Sequence, residues 1–305
     1  MAIGDVFEAD DCADVYYVDT GMYDVEEYGS VYIVDAERPA LVDTGIGTRY
    51  ENILDAMDEV GVAPEALETI AVTHVHLDHA GGAGYLAEAC PNATVYVHES
   101  GARHLVDPGR LWEGTKQAVG DQIQYYVEPE PVPEERIETV EDGDEIDLGD
   151  HTFEVIHAPG HAPHQVVFHD PTIDGVFTAD AAGIYTPSTD EVHVTSPPVN
   201  FELETALEDV ERLQEIDPET LLYGHFGPAP TDDRLAVYAD KLSEWVADVA
   251  TVRADREDDQ AVVDHFVETV TTPDVWSDHK ARAEVAMNVR GVLVALDRRD
   301  TEHGE

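Results

Sequence analysis

Apolar and polar positions alternate through the first 45 residues, with β-branched and aromatic runs at 15–18, 30–34 and 40–42 separated by Gly21, Gly29, Pro39 and Gly45. This pattern predicts strands joined by turns. From Tyr50 the period changes. Ile53, Leu54, Met57 and Val60 fall at helical spacing, and Gly61 closes the segment. A strand over 69–73 then runs straight into His74, followed by a helix near 83–89, a strand at 94–98 and a short helix at 99–105. Such alternation of strand and helix predicts an α/β layered domain.

Residues 107–135 break the rhythm with four prolines and with Gly109, Gly114 and Gly120. The stretch reads either as a plain surface connection or as a lid or binding loop. Strands return at 135–140, 145–148, 152–157, 165–169 and 175–178, followed by an amphipathic helix near 202–215 and a strand at 220–223. Beyond about 231 the pattern is helical, with helices near 232–254, 258–270 and 277–298. The expected division is therefore an α/β domain over 1–230 and a C-terminal helical region over 231–305. That region is expected to pack over a site's rim, shaping a pocket or a homodimer contact.

Composition adds one strong fact. The chain of 305 residues carries 67 Asp and Glu against 16 Lys and Arg, a formal charge of −51. At 43% hydrophobic and 27% charged it is otherwise an ordinary globular chain. The acids run through every segment, and lysine occurs only at 116, 241 and 280. Dispersed carboxylate with little lysine resembles halophilic proteins, which fold in molar salt where the Debye length falls to about 3 Å. A basic stripe for nucleic acid is missing, which argues against that partner. The longest purely apolar stretches, such as 292–296, are far short of the roughly 20 residues a membrane span needs. The first ten residues hold three acids and no Lys or Arg, the opposite of a signal peptide, so a cytoplasmic location is expected. Cys12 and Cys90 fit neither a disulfide framework nor a cysteine zinc site.

The chemistry concentrates in Thr73-His74-Val75-His76-Leu77-Asp78-His79-Ala80-Gly81-Gly82, which places four metal-capable side chains at the end of a strand. Crowded imidazoles repel one another when protonated and are held neutral by a metal, so this cluster points to metal binding. His161, Asp180 and His225 each follow an apolar strand later in the chain. Alone each is weak, since Pro-Gly-His often marks only a turn and an Asp after a strand often only a cap.

In this order the motifs resemble those of the metallo-β-lactamase-fold hydrolases: H-x-H-x-D-H, then later His, Asp and His, with Asp43-Thr44-Gly45 near the start. The likeness covers about residues 15 to 230 and includes the glyoxalase II-like branch. It implies an αββα sandwich, two sheets face to face with helices outside and the metal site at one edge, here with a C-terminal helical extension. Carried over residue by residue, it implies His74, His76 and His161 on one zinc ion and Asp78, His79 and His225 on a second, with Asp180 bridging both. The implied reaction is hydrolysis of a small ester, thioester, lactone or related acyl bond by a hydroxide held between the two ions, with Asp78 also shuttling its proton. Asp43 resembles the carboxylate that orients a ligand imidazole; as a bare sequence feature it could equally be a turn-forming Asp before Gly45.

Two departures from the family pattern stand out. Ala179-Asp180 replaces a more usual Gly-Asp, and Ala162-Pro163-His164-Gln165 follows His161 where glyoxalase II-like members read Thr-Pro-Gly-His. The second makes a glutathione thioester substrate doubtful. His164 is either a substrate contact or a strand-end residue, and Tyr185 either lines the pocket or is packed. The remaining histidines, including His98, His104, His157 and His303, lack ligand context. Other readings of the same motifs are an iron-dependent oxygenase resembling persulfide dioxygenases, a nuclease, or a metal-stabilised binding scaffold without catalysis.

Overall fold

The computed structural model describes residues 2–197 and 200–303. Its first sheet runs in the order β1 (Val6–Glu8), β2 (Val15–Asp19), β3 (Ser30–Val34), β4 (Ala40–Val42), β5 (Thr69–Ala71), β6 (Thr94–His98) and β7 (Ile137–Val140). The β1–β4 meander is antiparallel and the β4–β7 half is parallel. The second half of the fold supplies β8 (Glu145–Asp147), β9 (Thr152–His157), β10 (Val166–Asp170), β11 (Gly175–Ala179), the hairpin β12 (Ile184–Thr186) and β13 (Glu191–His193), then β14 (Thr220–Tyr223) and β15 (Gly227–Pro230). All but the hairpin join a six-stranded sheet in the order β15-β14-β11-β10-β9-β8.

The sheets pack face to face because each offers an unbroken apolar inner surface. Val15, Tyr32, Val34, Val42 and Ala71 of the first meet Ile146, Phe153, Val155, Phe168, Phe177 and Leu222 of the second. Phe153, Phe168, Phe177 and Tyr32 form an aromatic centre with ring centroids 5.2–5.5 Å apart. Each fully buried ring of this kind contributes about 1.5–3 kcal/mol.

Helices cover both outer faces. α1 (Tyr50–Val60) turns Ile53, Ala56 and Met57 onto the first sheet and ends where Gly61 takes φ 91°, which only glycine adopts freely. α2 (Leu77–Ala80), α3 (Ala83–Ala89), α4 (Glu99–Val106) and α5 (Gly109–Val119) follow on that side. The second sheet is covered by α6 (Leu203–Ile216), α7 (Arg234–Ala254), α8 (Asp259–Thr269) and α9 (Asp278–His303), whose apolar stripes share one core with Val167, Val176 and Leu221. This is the αββα sandwich with a C-terminal helical extension. No helix of the described residues is long and apolar enough to cross a membrane.

The stretch 107–135 differs from its reading as an irregular loop. It holds α5 and a 3-10 turn at Gly120–Tyr125. The residues taken for breakers sit at helix boundaries: Pro108 at the N-cap, Gly120 at the C-cap with φ 55°. Gly114 is simply tolerated inside the helix.

Candidate metal centre

Strand direction gathers the candidate ligands. β4 and β5 run parallel, and β9, β11 and β14 share one direction in the facing sheet, so the loops after all five strands open on one edge of the sandwich. Those loops carry Asp43, His74 to His79, His161, Asp180 and His225. Each loop is pinned locally. Gly160 packs so closely on α6 that a Cβ there would lie 2.3 Å from Ala206 backbone, while Asp209 of the same helix accepts the Gly160 N–H at 2.7 Å. Buried Gln165 accepts from Asp180 N at 3.4 Å and donates to the Ala158 carbonyl at 3.0 Å, tying the His161 loop to the Asp180 loop. Ala179 stands at φ 47°, in the left-handed region, which accounts for the glycine more usual at this place.

The predicted ligands converge. His74 Nε2 and His161 Nε2 lie 3.1 and 3.0 Å from His76 Nδ1, and His161 Nε2 lies 3.0 Å from Asp180 Oδ2. On the other side His79 Nε2 and His225 Nε2 are 3.2 Å apart, each is 3.4 Å from Asp180 Oδ1, and Asp78 Oδ2 is 3.8 Å from His225 Nε2. Asp180 thus faces both groups with one oxygen each. Nitrogen and oxygen ligands about 2.0–2.2 Å from a zinc ion stand about 3.0–3.5 Å from one another, the spacing found here for the imidazoles and Asp180, with Asp78 slightly farther out at 3.8 Å. His74, His76 and His161 form one group able to hold a metal ion, and Asp78, His79 and His225 another.

The hydrogen bonds behind the rings fix which nitrogen carries the proton. His79 Nδ1 bonds the Asp43 carboxylate at 2.7 Å, and His225 Nδ1 bonds the Tyr28 carbonyl at 2.8 Å. Both partners only accept, so in each neutral ring Nδ1 carries the proton and Nε2 is the atom left to coordinate, the two Nε2 atoms standing 3.2 Å apart and buried. Two facing lone pairs repel unless a cation lies between them. Asp180 Oδ1 is likewise buried without a hydrogen-bond donor. The residues present therefore fit a metal.

Asp43 does more than orient one ring. Its Oδ1 accepts the Thr73 N–H at 2.8 Å, and the Thr73 hydroxyl, donating to the same carboxylate at 2.9 Å, lies 3.2 Å from His74 Nδ1. One buried carboxylate so steers an imidazole of each group. Charges in the site follow from this crowding. Burial and the neighbouring imidazoles push His74 well below its ordinary value, and burial takes His161 down to about 3. For His79 burial is outweighed by Asp180 and Asp43, which raise it; for Asp180 burial is outweighed by His161, His225 and His79, which hold its carboxyl far down.

A cleft opens onto the two groups, lined by His76, Asp78, His161, Asp180 and His225 and by Tyr23, Tyr28, Leu77, Tyr126, Ile184 and Met287 among others. α5 contributes Thr115, Ala118 and Val119, so the 107–135 stretch does border the site. Of the two readings left open for His164 and for Tyr185, the structure places neither side chain on the cleft wall. Along β12 side chains alternate, and it is Ile184 that faces the cleft. Tyr185 points the other way, stacked on Tyr223 at 5.4 Å with its hydroxyl on Asp190. His164 packs 5.6 Å from the His76 ring, accepts from Val75 N at 3.4 Å, and is not on the cleft wall. The side chain of His303 lies outside the described residues.

The part of the site that sequence reading missed comes from α9. Glu284 lines the cleft and accepts from the Tyr28 hydroxyl at 2.8 Å, from Lys280 Nζ at 2.6 Å and from Asn288 Nδ2 at 3.0 Å. Lys280 is 1% exposed, with its ammonium 3.7 Å from the Tyr28 ring centroid and 4.2 Å from that of Tyr23. Its one sequence trace is the i, i+4, i+8 spacing of three polar residues on a helix that is otherwise apolar on that side.

A family model described as the metallo-beta-lactamase superfamily matches residues 25–225. The fold-containing protein ST1585 of Sulfurisphaera tokodaii is 27% identical over 71% of this chain and 79% of its own length. Its crystal structure superposes with a TM-score of 0.69 at 23% identity, covering 92% of this chain and 99% of that one. TTHA1429 from Thermus thermophilus, another metallo-beta-lactamase family protein, gives a TM-score of 0.62 at 20% identity over 90% and 89% of the two chains. The acyl-coenzyme A thioesterase MBLAC2 of Gallus gallus is 26% identical over 54% of this chain, and the match spans 62% of that protein.

Proposed function

The chain belongs to the metallo-beta-lactamase superfamily, and from that premise we propose that it is a metal-dependent hydrolase of a small ester, thioester, lactone or related acyl bond. The observation that carries this reading is the buried convergence on Asp180, whose Oδ1 lies 3.4 Å from both His79 Nε2 and His225 Nε2, themselves 3.2 Å apart, while its Oδ2 lies 3.0 Å from His161 Nε2. His74, His76 and His161 would hold one zinc ion, Asp78, His79 and His225 a second, and Asp180 would touch both. Two ions so held supply a water activated at neutral pH and a Lewis acid for the acyl oxygen.

The chain's own residues supply the rest. Asp78 stands on the cleft wall, where its carboxylate takes a proton from water as the oxygen joins the acyl carbon, and returns it to the departing alcohol or thiol. No serine or cysteine nucleophile is required, and both cysteines are buried. Leu77, Ile184, Met287 and the tyrosine faces exclude bulk water from the acyl group. The name of the chicken relative favours acyl bonds over the superfamily's other substrates. The acid excess suits a salt-rich cytosol, so the assays belong in molar potassium chloride.

The test is elemental analysis of protein purified without chelators or an immobilised-metal column, followed by an acyl-substrate screen. Two zinc ions per chain with turnover is the expected result, and Asp180→Ala is expected to lose both. A metal-replete, fully active Asp180→Ala protein would overturn the assignment. One iron per chain with oxygen uptake would replace it with the oxygenase.

A further inference from the structure

We infer that the groove between α5, α8 and α9 binds the negatively charged, phosphate-bearing carrier of an acyl thioester whose acyl end enters the metal cleft. This rests on the hydrolase reading above and names its substrate class.

The first observation is adjacency. The groove adjoins the metal cleft, with Ala118, Val119 and Met287 common to both walls, so a ligand that passes these three side chains reaches from one into the other. The groove lies outside and the cleft lies at the metal ligands, as a short acyl group on a bulky carrier requires.

The second observation is charge. With 67 acids against 16 Lys and Arg, cations in this chain are scarce and most are engaged. Arg38, Arg49, Arg212, Arg234 and Arg253, for example, all pair with carboxylates. Arg282 and Arg290 line the groove, exposed, and among the described residues neither has an ion pair or hydrogen bond. They stand about 12 Å apart along α9. His279 lines the same wall. Arginine is the side chain best shaped for phosphate, which it grips through two parallel N–H bonds. Asp121 and Asp264 also line the groove and have not drawn the two guanidinium groups into ion pairs. Those carboxylates offer acceptors for hydroxyl or amino groups of the same ligand.

The experiment compares acetyl-coenzyme A with S-acetyl-N-acetylcysteamine, which carries the same acyl thioester without phosphates, at one fixed salt concentration. The Arg282→Glu/Arg290→Glu protein is expected to lower the ratio of kcat/KM for the first substrate to that for the second by about tenfold or more, through KM. Arg282→Lys/Arg290→Lys is expected to recover part of that loss, and thermal melts check that every variant is folded. If the wild type turns over both thioesters and the ratio does not move, the groove inference is overturned and the hydrolase stands. If it turns over neither, the thioesterase reading fails, and calorimetric titration with coenzyme A decides the groove separately. Binding weakened about tenfold in the Glu variant supports it; no binding, or binding indifferent to the variant, overturns it.

Discussion

The hydroxyl of Tyr28 donates to Glu284 at 2.8 Å, joining the loop after β2 to the C-terminal helix across 256 residues of chain. The same tyrosine accepts His225 Nδ1 on its backbone oxygen. A candidate metal ligand, a cleft-wall phenol and α9 are therefore one connected unit, and the helical extension is part of the site's construction.

Breaking that unit at Glu284 has a calculable cost. Glu284→Ala leaves the Lys280 ammonium buried without its carboxylate, and removing one partner of a buried pair costs about 3–5 kcal/mol. Lys280→Met/Glu284→Met removes both charges and is expected to cost less than the single change. Urea unfolding measures both, and a single variant as stable as the double would show that the pair is not tightly coupled.

At Asp43 the expected effect falls on the metal. Asp43→Asn keeps the size of the side chain but loses the charge that holds His79 and Thr73, and partners of this kind are worth about 10–100-fold in metal affinity. Competition against a graded chelator series reads this directly. Affinity equal to that of the wild type would mean that the two rings hold their orientation without the carboxylate.

Much of this site was legible because its ligands lie in one short motif and at the ends of strands that an apolar pattern marks clearly. His161, Asp180 and His225 each follow an apolar strand, but it was the family resemblance, not the strand pattern, that implied them as ligands. The α9 wall was hidden for a physical reason. Glu284 and Lys280 matter through contacts with Tyr23 and Tyr28, and no local pattern announces a partner some 250 positions away. The hairpin β12–β13 was missed because each strand spans a single short run of three residues. Tyr185 was left open between pocket and packing because strand alternation alone does not say which face of β12 meets the cleft, and one residue of register sends a side chain to the opposite face.

Far from the cleft, His151 Nδ1 lies 2.7 Å from Asp170 Oδ2, with both side chains nearly fully buried. The hydrogen bond to Asp170 outweighs burial and raises the imidazole above its ordinary 6.5. A folded-state value above the unfolded one gives stability that is complete below about pH 6.5 and is lost as pH rises through the folded value. The wild type is therefore expected to lose stability relative to His151→Gln between pH 6 and pH 9. Urea midpoints across that range provide the check, and parallel curves for the two proteins would contradict it.

Asp209 titrates in a lower window with the same sign. Burial lifts its carboxyl from 3.8 to about 7, against the opposing pull of the Gly160 N–H it accepts. Because the folded state holds the proton more tightly, this group's contribution is complete below about pH 4 and fades as pH climbs through about 7. Asn at this position keeps an oxygen for Gly160 N but cannot ionise. Asp209→Asn should therefore gain stability relative to the wild type on going from pH 5 to pH 8, while the loop that carries His161 keeps its anchor. Asp209→Ala, which removes the acceptor as well, should be less stable than the Asn variant at both pH values, because it leaves the Gly160 donor unpaired at about 1–3 kcal/mol. Denaturant unfolding of the three proteins at the two pH values separates the charge from the hydrogen bond. If the Ala and Asn variants behave alike, the Gly160 bond contributes nothing to holding that loop.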